Sequence, residues 1–227
     1  MRLLVIAALL ASSIPALATN DGTIVYDSET ALVMVDVQND FMPYPGSTLP
    51  VPDGAQVVPE LSKFVSKVAE NHGALFATQD WHPAGHISFK SAGRGGIWPD
   101  HCIQGSHGSQ LDDGLKVTLQ AALEKEGVET QIVRKGYDLD HDAYSGFEGV
   151  NYQGLTLTQL LKQKHISRIL VGGLATDYCV RATVLDGRKN GFEVVFLQSA
   201  SRGVNVHAGD VTKAIEDMRK AGAIIAP

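Results

Sequence analysis

The chain has 227 residues, 44% of them hydrophobic, and its 19 basic and 25 acidic side chains give a net charge of −6. This composition is typical of one globular domain with a full hydrophobic core. The acidic balance and the lack of any basic block argue against a nucleic acid or an anionic membrane surface as the partner.

The first residues are typical of a secretory signal peptide. Met1 and Arg2 precede a short apolar stretch, residues 3–10, and a small-residue end follows at Ala16-Leu17-Ala18. The apolar stretch is shorter than the roughly 20 residues that cross a bilayer. We therefore expect cleavage after Ala18, a periplasmic or secreted product that no longer contacts the membrane, and one domain over residues 19–227.

Beyond the signal, apolar runs alternate with helix-like patterns. Strands are predicted over residues 31–35, 74–78, 131–134, 168–172, 193–197 and 223–225. Helices are predicted over residues 56–72, 115–126, 156–165, 177–190 and 211–221. Because the strands are apolar throughout, they favour an α/β fold with a mostly parallel sheet covered by helices on both faces.

Polar or reactive side chains follow four of the predicted strands. Asp36, Asp80 and Lys135 each lie at such a strand end, and Cys179 lies in the turn after the fourth. In an open parallel sheet the carboxyl ends of the strands line the ligand crevice. The sequence thus predicts that these four side chains converge.

Cys179 lies where a buried strand gives way to a helix. The free N–H groups and the positive dipole of a helix N-terminus lower the pKa of a thiol and can hold an oxyanion. A nucleophile is predicted on these grounds. A packed core cysteine and a Cys102–Cys179 disulfide are the alternatives, the second because exported proteins commonly carry disulfides.

Asp36 and Lys135 are candidates to act with this thiol. A buried carboxylate is costly unless it is paired, and a structural Asp–Lys ion pair would meet that need without any catalysis. Together with Cys179, however, the pair supplies a base, a cation and a nucleophile. These three groups are enough for acyl transfer through a thioester.

A second cluster contains one aspartate and three histidines: Asp80, His82, His86 and His101. Carboxylate and imidazole donors suit Zn²⁺, Fe²⁺ or Mn²⁺, so one divalent metal is predicted here. A single histidine in a loop is more often solvated than bound to a metal, and the prediction depends on the cluster.

Several segments of the chain resemble the motifs of a known enzyme family. Six segments, in order from about Thr30 to the end of the chain, resemble the motifs of the nicotinamidases (pyrazinamidases) among the isochorismatase-like cysteine hydrolases. They are 35–41 (VDVQNDF), 79–83 (QDWHP), 98–102 (WPDHC), 135–136 (KG), 144–147 (YSGF) and 173–180 (GLATDYCV). The resemblance implies a three-layer α/β/α domain with a six-stranded, mostly parallel sheet.

The resemblance also implies roles for individual residues. The catalytic triad would be Asp36, Lys135 and Cys179. A cis peptide before Ala175 would shape an oxyanion hole made by the backbone N–H groups of Ala175 and Cys179. The metal ligands would be Asp80, His82 and His101, with His86 at a position that binds the metal in some members. The walls of the pyridine pocket would be Phe41, Trp98 and Tyr144, although Phe41 and Trp98 taken alone could equally pack the core.

The activity that the resemblance implies is hydrolysis of nicotinamide to nicotinate and ammonia, with pyrazinamide as a further substrate and the metal anchoring the ring nitrogen. Two alternatives remain open: another amide-cleaving cysteine hydrolase of the superfamily, and an exported protein that only binds a pyridine-like ligand. The predicted triad argues against simple binding, which needs none of its members. The predicted partner is a small nicotinamide-like amide, and a homo-oligomer stays open. Export departs from the family, whose members mostly serve NAD salvage inside the cell.

Overall fold

The structure, a computed structural model, describes residues 24–227, so the predicted signal peptide lies outside the described residues. The strands are β1 (Thr30–Val35), β2 (Ala74–Asp80), β3 (Thr130–Lys135), β4 (Arg168–Leu174), β5 (Glu193–Arg202) and β6 (Ile224–Ala226). The helices are α1 (Val57–Glu70), α2 (Asp113–Glu126), α3 (Leu157–Gln163), α4 (Arg181–Lys189) and α5 (Asp210–Lys220). Within this part of the chain, no helix is long and apolar enough to cross a membrane.

All six strands form one parallel sheet in the order β3-β2-β1-β4-β5-β6. The chain builds one half of the sheet from β1 to β3 and then crosses to β4 on the other side of β1. The strand order therefore reverses between β1 and β4, which is where an open parallel sheet forms its ligand crevice.

Each face of the sheet carries its own apolar core. On β1, Leu32 and Met34 pack in the cluster that includes residues of α1 and α2. Ala31 and Val33 point the other way, into the cluster that includes residues of α3, α4 and α5. This alternation follows from the two-residue period of a strand, and it confirms the predicted three-layer α/β/α domain.

The predicted helix over residues 177–190 is wrong in its first part. Thr176–Val180 forms a single π-helical turn, and α4 begins only at Arg181. The wider turn arises because the backbone N–H of Val180 donates to the carbonyl oxygen of Ala175, five residues earlier, at 3.1 Å. Cys179 thus lies in the π-helical turn and not in a regular α-helix; such turns are frequent at functional sites.

Candidate active site

Three of the strand-end side chains meet at one buried ammonium group. The Nζ atom of Lys135 lies 2.9 Å from Oδ2 of Asp36 and 3.3 Å from Sγ of Cys179, and it also pairs with Asp80. Lys135 and Asp36 are both fully buried. The structure brings together the base, the cation and the thiol that were predicted from widely separated segments.

The turn that carries Cys179 is held tightly against β1. Gly173 has φ of +120°, and a Cβ atom there would overlap the backbone of Val35, so only glycine fits. The peptide bond between Leu174 and Ala175 is cis, as the resemblance implied. Ala175 and Cys179, the two predicted oxyanion donors, both line the same cavity.

The protonation state of the thiol differs from the expectation. Burial raises the pKa of Cys179 well above its usual value, and the charges of Asp36 and Asp80 add to this, against the opposing effect of Lys135. Burial would lower the pKa of Lys135, but the two carboxylates raise it well above its usual value. This raised pKa favours the neutral thiol, so a nucleophilic role for Cys179 would require a base that accepts its proton.

Asp36 is placed to be that base. Burial raises the pKa of Asp36 above its ordinary value, although Lys135 opposes the shift. The hydroxyl of Thr78 donates to Oδ1 at 2.5 Å, whereas Oδ2 accepts no hydrogen bond of good geometry within the described residues. One ligand atom of Asp36 lies within 4.8 Å of the sulfur of Cys179. A carboxylate oxygen of Asp36 thus lies near the thiol, while Oδ2 is ion-paired with Lys135 at 2.9 Å.

Asp80, His82 and His101 form a compact, buried group of metal-binding type. Their nearest ligand atoms all lie within 4.8 Å of one another. Nδ1 of His82 contacts the carbonyl oxygen of Gly136 at 2.8 Å, and Nδ1 of His101 contacts that of Pro99 at 2.7 Å. Because a carbonyl only accepts, each Nδ1 carries the hydrogen, and both Nε2 atoms face Asp80 at 3.7 Å and 3.9 Å.

This arrangement fits a divalent metal ion. Imidazoles that bind metals usually donate their other N–H to a carbonyl or a carboxylate, as both histidines do here. Asp80 is also kept as an anion: burial would raise its pKa, but Lys135 and His82 lower it below its ordinary range. The donor set of one carboxylate and two imidazoles suits Zn²⁺, Fe²⁺ or Mn²⁺.

His86, the fourth predicted ligand, does not belong to this group. Its Nε2 lies 3.0 Å from the carbonyl oxygen of His141, and its Nδ1 lies 2.7 Å from the hydroxyl of Ser88. Its ring stacks on that of His82 with centroids 4.1 Å apart. With both ring nitrogens engaged in hydrogen bonds, His86 supports the ring of His82 instead of offering a free donor.

The three predicted wall residues, Phe41, Trp98 and Tyr144, line one cavity together with Cys179 and the metal-binding group. The indole N–H of Trp98 donates to the hydroxyl of Tyr144 at 3.1 Å. Burial raises the pKa of Tyr144 to about 12, so its hydroxyl stays neutral. The two aromatic groups therefore form one fixed wall.

Several wall residues were missed from the sequence. Tyr178 packs edge-on against Trp98 with centroids 4.9 Å apart. Its position directly before Cys179 was a signal that could have found it. Leu49, Val51 and Val204 also line the cavity, but they come from irregular segments where no sequence pattern marks them.

Both cysteines are free and buried, so the alternative of a Cys102–Cys179 disulfide is not supported. Cys102 is fully buried, and its backbone N–H donates to Oδ2 of Asp40 at 2.7 Å. Its sulfur lies 3.9 Å from the carbonyl oxygen of Gly108. The second cysteine is thus a packed core residue, as free cysteines commonly are.

Comparison with known families places the chain. Residues 30–227 match the isochorismatase domain. The protein belongs to the isochorismatase family. Among its relatives are the nicotinamidase of Escherichia coli, 36% identical over 211 residues (86% of this chain, 93% of the relative), and the nicotinamidase/pyrazinamidase of Mycobacterium tuberculosis, 35% identical over 193 residues (84% and 95%).

Solved structures of related proteins have the same fold as this member of the isochorismatase family. The pyrazinamidase of Pyrococcus horikoshii in complex with zinc is 39% identical, with a TM-score of 0.71 over 87% of this chain and 98% of that one. An Acinetobacter baumannii nicotinamidase/pyrazinamidase is 32% identical, with a TM-score of 0.73 over 87% and 95%. The fold and the predicted enzyme class, a hydrolase acting on amides, are confirmed, and the binding-protein alternative finds no support.

Proposed function

We propose that this protein is a nicotinamidase that hydrolyses nicotinamide to nicotinate and ammonia and that also accepts pyrazinamide. One observation carries the proposal: the ammonium of Lys135 contacts both Asp36 and Cys179, and Cys179 lines a cavity that the metal-binding group also lines. A site that only bound a pyridine would not need a base and a thiol beside it.

The cavity favours a small flat amide. Aromatic side chains form its walls, and these suit the faces and edges of a single heteroaromatic ring. Cys179 and the group of Asp80, His82 and His101 line the same space. A ring nitrogen near the metal group and a carboxamide near the sulfur would use both sets of residues at once.

Asp80, His82 and His101 would hold one divalent metal ion, which we propose to be Zn²⁺, Fe²⁺ or Mn²⁺. When bound, such an ion supplies a Lewis-acidic anchor for the pyridine nitrogen. The chain's own contribution is to fix the two imidazoles through their Nδ1 hydrogen bonds and to keep Asp80 ionised beside Lys135.

Acylation would begin when Oδ2 of Asp36 accepts the proton of Cys179. The positive charge of Lys135 stabilises the thiolate as it forms, and the sulfur attacks the carboxamide carbon. The backbone N–H groups of Ala175 and Cys179 would hold the oxyanion, an effect commonly worth about 3 kcal/mol per donor. The C–N bond then breaks, and the leaving nitrogen takes the proton from Asp36 to depart as ammonia.

Deacylation would reuse the same groups. Asp36, again a carboxylate, accepts a proton from a water molecule while that water attacks the thioester carbon. The C–S bond breaks, the sulfur recovers a proton from Asp36, and the product leaves as the carboxylic acid, which loses its proton to solvent to give nicotinate. The cycle leaves a neutral thiol, in agreement with the raised pKa of Cys179.

The test is ammonia release from nicotinamide by residues 19–227, with pyrazinamide, benzamide and aliphatic amides compared at equal concentration. Benzamide has the same shape without the ring nitrogen, so it should react far more slowly. The Cys179→Ala variant serves as the inactive control, and the metal content of both proteins is measured on the same samples. Metal-loaded protein that leaves nicotinamide intact but cleaves another amide would replace this proposal with the other amide hydrolase.

We further propose that residues 1–18 are a cleaved signal peptide and that the hydrolase domain, residues 19–227, acts in the periplasm or outside the cell. The support is the order of a charged start, a short apolar stretch and a small-residue end. An exported nicotinamidase would convert external nicotinamide to nicotinate before uptake.

A further inference from the structure

Two buried threonines contact the proposed base and nucleophile from behind. Thr78 lies in β2 and Thr183 lies in α4, and neither has any exposed surface. Neither residue lines the cavity, so neither can touch a substrate. Their hydrogen bonds nevertheless lead directly to Asp36 and Cys179.

Thr78 fixes the carboxylate of Asp36. Its hydroxyl donates to Oδ1 of Asp36 at 2.5 Å and accepts from the backbone N–H of Asp36 at 3.1 Å. Both bonds lie beyond the last paired residues of β1 and β2, where the sheet ladder has ended. The hydroxyl occupies one carboxylate oxygen and leaves the other, Oδ2, to pair with Lys135, which also contacts the thiol.

Thr183 links the backbone of Cys179 to a distant loop. Its hydroxyl donates to the carbonyl oxygen of Cys179 at 2.7 Å, a bond that threonines in helices often make to the residue four positions earlier. The hydroxyl oxygen of Thr183 also accepts a hydrogen bond from the backbone N–H of Gly146 at 2.9 Å, which is not a helical contact. The loop of Gly146 also carries Tyr144, a wall of the cavity.

Gly146 lies between the two threonines. A Cβ atom on this residue would lie 2.8 Å from the γ-methyl of Thr78 and 3.6 Å from that of Thr183. The first distance is too short for two carbon atoms, so the close approach requires glycine. The supports of the base and of the nucleophile therefore meet at one backbone position.

We propose that Thr78 and Thr183 are positioning residues for amide hydrolysis. Thr78 fixes the carboxylate of Asp36, Thr183 holds the backbone of Cys179, and Gly146 keeps the two threonines at their observed separation. This inference rests on the proposed function. It gives a positioning role to three residues that contact neither the substrate nor the metal. Substituting them should therefore lower kcat more than it changes KM.

The test compares Thr78→Val and Thr183→Val, which keep the shape and remove the hydroxyl, with Thr78→Ser and Thr183→Ser, which keep the hydroxyl. With nicotinamide as substrate, we expect Thr78→Val to lower kcat about tenfold or more and Thr183→Val about fivefold, with KM within about twofold, because small misplacements of reacting groups are costly. Each serine variant should recover kcat to within about threefold of wild type. Thr118→Val, which removes a hydroxyl on α2 that bonds to Gly114 and Ser62, is the matched control.

Gly146→Ala is an independent test, because it changes no hydrogen-bonding group and its added methyl group would displace Thr78. It should lower kcat and leave KM unchanged. If Thr78→Val does not fold, Gly146→Ala replaces it as the test of Thr78. Valine variants that keep kcat within twofold of wild type would overturn the proposal. Serine variants as slow as the valine variants would also overturn it, since packing and not the hydroxyl would then be responsible.

A second readout separates this proposal from the proposed function. The rate at which iodoacetamide alkylates Cys179, followed by peptide mass mapping at one fixed pH, requires no substrate. Thr78→Val should slow that alkylation about fivefold or more relative to Thr118→Val, because the base is displaced. If wild type releases no ammonia from nicotinamide yet shows this difference, the proposed function fails and the positioning role stands; equal alkylation rates in the two variants would refute the positioning role.

Discussion

The ammonium nitrogen of Lys135 lies 3.3 Å from the sulfur of Cys179. The lysine comes from the end of β3 at one edge of the sheet, and the cysteine follows β4 beyond the central strand. The long side chain of Lys135 thus reaches across the ends of β2 and β1. It places one positive charge among two carboxylates and a neutral thiol.

Removing that charge should harm both stability and turnover. Lys135→Met leaves Asp36 and Asp80 buried without their shared cation, and breaking a buried ion pair in this way costs about 3–5 kcal/mol. We expect a matching fall in the free energy of unfolding, measured with urea, and a loss of ammonia release of at least about a hundredfold. Lys63→Met removes an exposed lysine paired with Glu60 and should change neither quantity. A stable, active Lys135→Met protein would remove Lys135 from the mechanism.

A covalent intermediate should form on one cysteine only. Acid-quenched samples taken during turnover of nicotinamide should carry a nicotinoyl group on the peptide that contains Cys179 and none on the peptide that contains Cys102. Cys102→Ala, which alters a fully buried thiol packed in the core, should still form the adduct. An adduct on Cys102, or turnover by Cys179→Ala, would contradict a thioester on Cys179.

Metal binding should separate His101 from His86. His101→Ala removes a donor of the compact group, so its affinity for Zn²⁺, measured by chelator competition on the metal-free protein, should fall at least about a hundredfold. His86→Ala removes an imidazole whose two nitrogens are already bonded, and it should keep the metal stoichiometry of wild type. An equal loss of metal in both variants would make His86 a ligand after all.

Removing the metal from wild type should raise KM for nicotinamide more than KM for benzamide.

Activity should be lost on the acid side of the pH profile. The proposed mechanism needs the carboxylate form of Asp36, and burial raises the pKa of that group. As pH falls through this raised pKa, Asp36 becomes protonated and can no longer accept the thiol proton, so kcat/KM should decline. The apparent value belongs to the coupled set of Asp36, Lys135 and Cys179. A profile of kcat/KM that stays flat down to the usual pKa of an aspartate would contradict Asp36 as the base.

The proposed signal peptide predicts where the protein accumulates and at which residue the mature chain begins. The full chain expressed in a bacterium should accumulate outside the cytoplasm and should begin at Thr19, which N-terminal sequencing of the purified protein reads directly. A variant that lacks residues 1–18 should stay in the cytoplasm and keep its activity. Full-length protein that begins at Met1 and remains in the cytoplasm would refute the signal peptide.

Much of the fold and part of the site could be read from local patterns. Apolar strands alternating with amphipathic helices require a covered parallel sheet, and parallel strands bring their carboxyl ends to one edge. The sequence by itself therefore predicts that Asp36, Asp80, Lys135 and Cys179 converge. The prediction succeeded because a strand end is a position that sequence periodicity can locate.

Other features depend on distances between segments far apart in the chain. The pKa of Cys179 follows from burial and from the charges contributed by β1, β2 and β3, and the local helix-terminus argument pointed in the opposite direction. His86 was grouped with the other histidines because they are close in sequence, yet its ring nitrogens bond to Ser88 and His141 and not to the metal group. Thr78 and Val204 carry no pattern of their own. Hydrogen bonds and electrostatic fields act through space, so their partners exist only once the sheet has brought these segments together.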